Sequence, residues 1–537
     1  MRQAAQEQTW MGLTVRWVWA GCLLLILGIL LFCQSWEYYA KVTLPWANWL
    51  CLGAGTAGLE ALSAAAWLLT RRNHSRRRRL LTMGGISLIM SALIYYLAAH
   101  YAFTAGWDPA FVYQDASNLA YGYTEDLSFD YFSQFPNNLL LTILYSGMIR
   151  LGDAMGLTVQ EWFIIHFFQC AGYGLMLYLT YDCADLLTQG KRPDAALWCW
   201  TVCLLLVGLS PWVAVQYSDT AALILMTVEL RLWLKVRKGK HQALWVGLLF
   251  LMGSCAYRIK PQTAIFLIAA GLLWAAREIR PVRLQKEWKK TLAAGLTAVL
   301  CFAAGTAGTQ AMLDRSEYEL DPEARFGMSH YFMMGMNETE MGGYSEMDVG
   351  ISASAPTRKE RSEINWRIFR ERVETMGIGG LLRQAVRKTL TNYGDGTFAW
   401  EQEGMFYSYD SYPFPGRNAW LQAVLPGIYI SGEYDSMVEK SHSAVWRVIC
   451  QCVWLGVLAL GLAGCLREKG HEMAVLELTL IGLTLFELLF EARARHLLAY
   501  VPFFILMAGM GLPEFSRMLS FKYPQPRSGP RSRCEAS

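Results

Sequence analysis

The residues of this 537-residue chain that could do chemistry are acids and cations placed at the ends of apolar blocks. Asp108 stands in Gly106-Trp107-Asp108-Pro109, four to five residues past the end of such a block. A carboxylate at that level is partly out of water, which raises its pKa and strengthens it as a base toward a bound hydroxyl. The proline after it favours extended backbone at Asp108 and suits the first turn of a helix, so the same carboxylate is also placed to cap that helix. Asp115 is a second acid in the segment, and Asp219 opens a further apolar block directly after Tyr217-Ser218. The cations are Arg258, Lys260, Arg493, Arg495 and His496, all near block ends. Arginine grips a phosphate with two parallel hydrogen bonds and lysine acts as a compact charge. The same side chains can instead snorkel to the interface or pair with Glu491.

Positioning these groups falls to apolar helices. The chain is 54% hydrophobic and 17% charged, with a mean hydropathy of +0.22, apart from soluble domains, which run at about 45–50% apolar and about 25% charged. A soluble enzyme is excluded, and the aromatic content of 13% excludes a disordered scaffold. Apolar blocks fall near 15–35, 46–69, 80–103, 161–183, 195–216, 219–235, 242–257, 262–276, 291–312, 443–466, 472–490 and 496–512. Most have the length that crosses a hydrocarbon core of about 30 Å. The expected fold is an all-α polytopic membrane protein with about twelve transmembrane helices. To these it adds a re-entrant or interfacial helix over 139–157 and one large extracytoplasmic loop domain. Twelve of the thirteen cysteines lie in or beside apolar blocks, Cys534 being the exception, and read as small core residues. No cleavable signal peptide is expected, because the run 15–36 is too long for one. Glu60, Glu229 and Arg231 lie inside blocks, where helix packing is their default role.

Charge sets the orientation. Residues 71–79 (RRNHSRRRR) hold six arginines and no acid, which places them in the cytoplasm. With 139–157 not crossing, the later basic clusters and the tail also fall inside. The face outside then carries 104–137, with five acids and no Lys or Arg, and 313–441, with 20 acids against 13 basic residues. The domain plan follows. Residues 1–79 are two N-terminal spans and a basic loop, and 80–312 a transmembrane core with a first outer loop over 104–160. Residues 313–441 are the extracytoplasmic unit, with a helix near 361–390, 442–512 the C-terminal spans, and 513–537 a disordered basic cytoplasmic tail.

One ordered series of motifs lies on the outer side. It runs Asp108, Tyr113, Ala116; Tyr131-Phe132-Ser133; Phe135-Pro136-Asn137-Asn138; Tyr217-Ser218-Asp219; Lys260-Pro261; and Arg495-His496, with His330-Tyr331-Phe332-Met333-Met334-Gly335 and Gly342-Gly343 in the large loop. The series resembles the GT-C superfamily of membrane glycosyltransferases, in the branch of protein O-mannosyltransferases and aminoarabinose transferases, bacterial subgroup, over about residues 80–512. That family often carries Asp-Glu where this chain has Asp108-Pro109. The resemblance implies an enzyme of the cell membrane, a hexosyltransferase. It would move a sugar from a polyprenyl-phosphate carrier to an extracytoplasmic acceptor (a cell-surface glycan, lipid or protein) with inversion. Asp108 is then the catalytic base, Asp115 and Asp219 bind acceptor or metal, and Arg258, Lys260, Arg493, Arg495 and His496 bind the donor phosphate. The residues themselves fix no cofactor; a divalent cation is the one candidate. The partners implied are the lipid-linked donor, the bilayer and the acceptor, with no nucleic acid. The alternatives are a flippase for lipid-linked saccharides, although no internal symmetry of the kind transporters show is visible, and a non-catalytic polymer-assembly protein of the same fold.

Overall fold

The structure is a computed structural model, and it describes residues 10–512 apart from 34–44, 72–73, 158, 239–240, 279–280, 404–406, 410–413, 431–440 and 468–472. The tail 513–537 and parts of the basic clusters near 240 and 469 lie outside the described residues. What is described is a helical bundle. Its one departure from all-α is a two-stranded antiparallel ladder, β1 (Phe103–Ala105) with β2 (Tyr407–Tyr409), in which Phe103 faces Tyr409.

The helices are α1 (Trp10–Phe32), α2 (Pro45–Thr70), α3 (Arg76–Ala98), α4 (Asp108–Tyr121), α5 (Phe129–Gln134), α6 (Leu139–Ala154), α7 (Glu161–Leu187), α8 (Pro193–Cys203), α9 (Ser218–Lys238) and α10 (Gln242–Ile259). There follow α11 (Ala264–Glu278), α12 (Pro281–Asp314), α13 (Met328–Gly335), α14 (Glu346–Ser354), α15 (Arg358–Tyr393), α16 (Trp400–Glu403), α17 (Ala419–Tyr429), α18 (Ser443–Arg467), α19 (Met473–Leu489) and α20 (Val501–Gly511). Among the described residues, eight helical stretches are long and apolar enough to cross a membrane. They are Met11–Phe32, Ala47–Thr70, Arg76–Ala98, Glu161–Leu187, Gln242–Ile259, Trp288–Asp314, Ser443–Leu466 and Ala494–Gly511. The other four apolar blocks fold differently. α8 passes at Leu204–Gly208 into a wider π turn, α11 and α19 have 15 and 17 residues, and α9 carries Glu229, Arg231 and Lys235. The segment expected to lie on the surface becomes α6, whose 16 residues span about 24 Å. It packs along α4, and Arg150 donates to the carbonyls of Leu119 and Ala120 at the end of α4.

Glycines and small residues let helices meet. A Cβ on Gly55 of α2 would lie 1.8 Å from the Cys452 carbonyl oxygen of α18, so these two backbones touch. Close backbone approach of this kind gives dispersion contacts that lipid cannot match. One buried core runs through α1, α7, α8, α9, α18, α19 and α20.

The charged groups inside the bundle gather at two ends. At one, Arg76 and Arg79 of α3 and Arg231 of α9 hold Asp182 and Asp185 of α7. At the other lie Asp108, Asp219 and Lys260. α9 contributes to both, Asp219 in its first turn and Arg231 twelve residues on, about 18 Å along the axis. Glu229, two residues before Arg231, is fully buried and makes no hydrogen bond among the described residues.

The helices of 313–441 dock on the second end. Arg372 of α15 grips Asp348 of α14 at 2.7 and 2.8 Å, which binds these helices to one another. α15 covers the expected helical stretch 361–390 but is broken at Gly377, whose φ of +56° no helix tolerates. Docking uses the glycine motif. A Cβ on Gly335 would lie 2.5 Å from the Leu489 carbonyl oxygen, and Gly342, at φ +79°, accepts from the amide of Ala492 at 2.7 Å. Lys388 of α15, fully buried, donates to the carbonyls of Gly335 and Phe490 across the same seam.

Candidate functional site

Asp108 enters at the start of α4, where Trp107 occupies the capping position and Pro109 the first turn. The carboxylate does not cap the helix, as one reading of its sequence context had it. Its Oδ2 accepts from the hydroxyl of Tyr217 at 2.6 Å. Tyr131 of α5 also bonds Asp108, and Asn138 donates its amide to the Tyr131 oxygen at 2.6 Å. Burial pushes the carboxyl pKa of Asp108 up; the phenols and Arg495 pull it down, Glu403 pushes it further up, and burial wins. Burial first, then the Asp108 charge, also raises the Tyr217 phenol well above its ordinary value, which keeps it a donor. The outcome is a carboxylate with enhanced proton affinity.

Beside it sits a dense ionic set. Lys260, at the end of α10, meets Asp219 Oδ1 at 2.6 Å. Arg495 lies 3.8 Å from Asp219 Oδ2 and 2.9 Å from Glu403 Oε1, with its guanidinium 4.3 Å over the Trp107 ring. Arg493 approaches Glu403 at 3.4 Å and Glu491 at 3.9 Å, and His496 approaches Glu487 at 3.4 Å. Burial pushes the Glu491 carboxyl up, and Arg493 and Arg495 pull against it. Asp219 Oδ2 and Arg495 Nε make no hydrogen bond, which leaves a carboxylate oxygen and a guanidinium N–H with free capacity in the same place.

The structure thus brings together six of the eight residues that the sequence singled out: Asp108, Asp219, Lys260, Arg493, Arg495 and His496. Lys260 and Arg495 have acidic partners, Asp219 for both and Glu403 for Arg495, because burial at this depth demands them. Asp115 and Arg258 stand apart. Asp115 is fully buried on α4 and accepts from the Ser128 amide at 2.7 Å, the Ser128 hydroxyl at 2.9 Å and the Tyr318 hydroxyl at 2.6 Å. It fastens the chain around it and has little capacity left for an acceptor or metal. Arg258 donates to Gln310 of α12 at 3.0 Å. Among the described residues no group of three or more His, Cys, Asp or Glu is arranged to hold a metal ion; the carboxylates face cations.

Glu403, Glu487, Lys388 and Trp107 escaped the sequence reading as site residues. Trp107 had a signal, an aromatic beside the first acid at a membrane surface. Glu403 had none: it comes from α16, nearly 300 residues after Asp108, and only folding shows it to be buried against Arg495. A groove of about 600 Å³ opens beside the site, lined by Phe111, Ser128, Phe129, Asp130, Tyr131 and Gln134 among others. Tyr131 stacks on Phe111 at 4.3 Å, so one ring serves both groove wall and Asp108.

A family model described as a conserved hypothetical integral membrane protein matches residues 61–515. No curated protein and no solved structure matches the chain.

Proposed function

The chain belongs to that family of integral membrane proteins, and from this premise we propose that it is a membrane glycosyltransferase of GT-C type. It takes a sugar from a polyprenyl-phosphate carrier and gives it to an acceptor outside the cytoplasm. In this reading all twelve apolar blocks cross, α6 lies at the outer surface, and 313–441 forms an outer unit over the site. The observation that carries the proposal is Asp108, held by the Tyr217 hydroxyl at 2.6 Å and set beside the Arg495–Asp219–Lys260 cluster.

The groups suit an inverting transfer. Asp108 takes the proton of an acceptor hydroxyl; that oxygen attacks the anomeric carbon, whose bond to the phosphate oxygen breaks with the electron pair leaving on the phosphate. Arg495, Arg493 and Lys260 stabilise the departing phosphate, with electrostatics that strengthen where water is excluded. The groove at Tyr131 offers the acceptor aromatic faces and the polar groups of Asp130 and Gln134. A radiolabelled-sugar transfer assay in membranes, run over a panel of polyprenyl-phosphate donors, tests this reading; no transfer from any donor by expressed, folded protein sinks it. The internal pairing of Lys260 and Arg495 is the one observation that favours a non-catalytic assembly role, and the same assay separates the two.

A further inference from the structure

At the opposite end of the bundle from Asp108 lies a cavity of about 600 Å³ that the proposed reaction does not use. Arg76, Arg77, Leu80, Leu81, Gly84, Gly85 and Tyr178 line it. The volume is within the range of small-ligand sites, about 300–1,000 Å³, and its lining divides cleanly. One side is guanidinium, the other leucine, glycine and an aromatic ring. Arg76 is held at 2.7 Å by Asp185 and also bonds Asp182, so one cation of the cavity is fixed before any ligand arrives. Arg77 is exposed and has no ion-pair or hydrogen-bond partner among the described residues. Among the described residues Arg76, Arg79 and Arg231 pair with Asp182 and Asp185, and with Arg77 and Arg78 beside them the cluster carries an excess of three positive charges.

The apolar side looks outward. Leu81 and Leu88 of α3 are 68% and 72% exposed in a stretch apolar enough to span a membrane, so lipid covers them. A Cβ on Gly85 would meet no atom within 4 Å, and one on Gly84 would only reach the Tyr178 ring at 3.7 Å. The glycines therefore leave an open slot running from the arginines down the face of α3. A ligand that fits has an anionic head and an apolar tail.

We propose that this cavity is a specific site for an anionic phospholipid of the leaflet that meets the arginine-rich end of α3, with its phosphate on Arg76 and Arg77 and an acyl chain over Gly84 and Gly85. Basic pockets at the membrane surface between spanning helices recognise such headgroups by charge, and chain packing adds the affinity that a free ion lacks.

The test uses the full chain in detergent, with phosphatidylglycerol and phosphatidylcholine of matched chains as probes and native mass spectrometry as the readout. Wild type should retain phosphatidylglycerol in preference to phosphatidylcholine. Arg77→Gln should reduce that retention about fivefold, the value of one surface cation against an anionic lipid. Gly85→Phe, which keeps every charge and fills the slot, should abolish it. Both positions are exposed, so each variant should fold and melt as wild type does. Equal retention of the two lipids, or undiminished phosphatidylglycerol binding by both variants, overturns the site. So does displacement of the lipid by millimolar inorganic phosphate, since the recognition would then be of an ion and not a lipid. None of these outcomes depends on whether the chain transfers sugar.

Discussion

Asp108 shows how much one side chain's surroundings decide. The carboxylate is half-buried, accepts from two phenols and faces both Arg495 and Glu403. Asp108→Asn keeps the shape and an acceptor for Tyr217 but removes the proton acceptor. Transfer should fall at least about a hundredfold, within the 10²–10⁴ range for a positioned base, while the charge lost from the first turn of α4 changes stability by about 1 kcal/mol or less. Near-normal turnover by the purified, stable variant ends the assignment. The pH profile follows from the direction of the shift. Asp108 works deprotonated, and its pKa is raised, so activity should rise with pH through a limb lying above the ordinary carboxylate range. Glu403 contributes to that rise; Glu403→Gln should move the limb to lower pH, and an unmoved limb would place the titration elsewhere. Asp108 was legible in the sequence because it adjoins an apolar block and a proline. The role of Asp115 was not, since its three donors come from Ser128 and Tyr318, the latter about 200 residues away. Nothing local separates a carboxylate that fastens a fold from one that faces a substrate.

At the scale of elements, hydropathy revealed the long spans and under-specified the short ones. α3, α7 and α18 were visible as uninterrupted apolar runs. α8 was read as a straight block through 216, but it widens into a π turn at Leu204–Gly208 and then turns at Pro211, changes set by packing and proline chemistry that a hydropathy window averages away. The phrase around His330–Gly343 was visible only as a resemblance; the structure gives it a physical reason, since Gly335 and Gly342 admit the backbone at 489–492 and Lys388 stitches the seam. Burial, opposed by Glu487 and Glu491, lowers the ammonium of Lys388 to about 7. Between about pH 7 and the unfolded lysine value near 10.4 the undocked or unfolded state binds more protons than the folded one, so stability should rise with pH across that window. Lys388→Met should flatten that slope in thermal melts taken at stepped pH. An unchanged slope would show that Lys388 does not titrate there. Gly342→Ala should destabilise by about 1–3 kcal/mol, through its positive φ and the contact with the Gly335 carbonyl.

The whole molecule has two charged ends, the arginine-rich one near Arg76 and the acid-rich one near Asp108. The six arginines of 71–79 made one end legible from sequence alone. The sequence reads as about twelve spans, whereas eight described helical stretches are long and apolar enough to cross, because the other four blocks are short, interrupted or carry charges that only a folded bundle can shelter. Cysteine tags settle the arrangement. Tags near 240 and in the tail should react only from the cytoplasm, and tags near 120 and 350 only from outside. A tag near 240 that reacts from outside would mean that 139–157 crosses, and the outer site would be lost with it.

The ion pair between Arg231 of α9 and Asp182 of α7 bears on how this protein is made. A charge at the centre of a lone helix costs about 2.5–3.5 kcal/mol on entering a bilayer through the translocon, and α9 carries near its middle Glu229, which has no hydrogen-bond partner among the described residues, and toward one end Arg231. On its own, then, α9 should be passed over by the insertion machinery. α7 is synthesised first, and its Asp182 is already in place when α9 emerges. Biogenesis should therefore be sequential, the earlier helix acting as a docking partner for the later one. In a glycosylation-reporter insertion assay, α9 alone should translocate without lodging, and a fragment carrying α7 to α9 should lodge it. Asp182→Leu in that fragment should return α9 to the translocated state; efficient lodging of α9 by itself would refute the dependence.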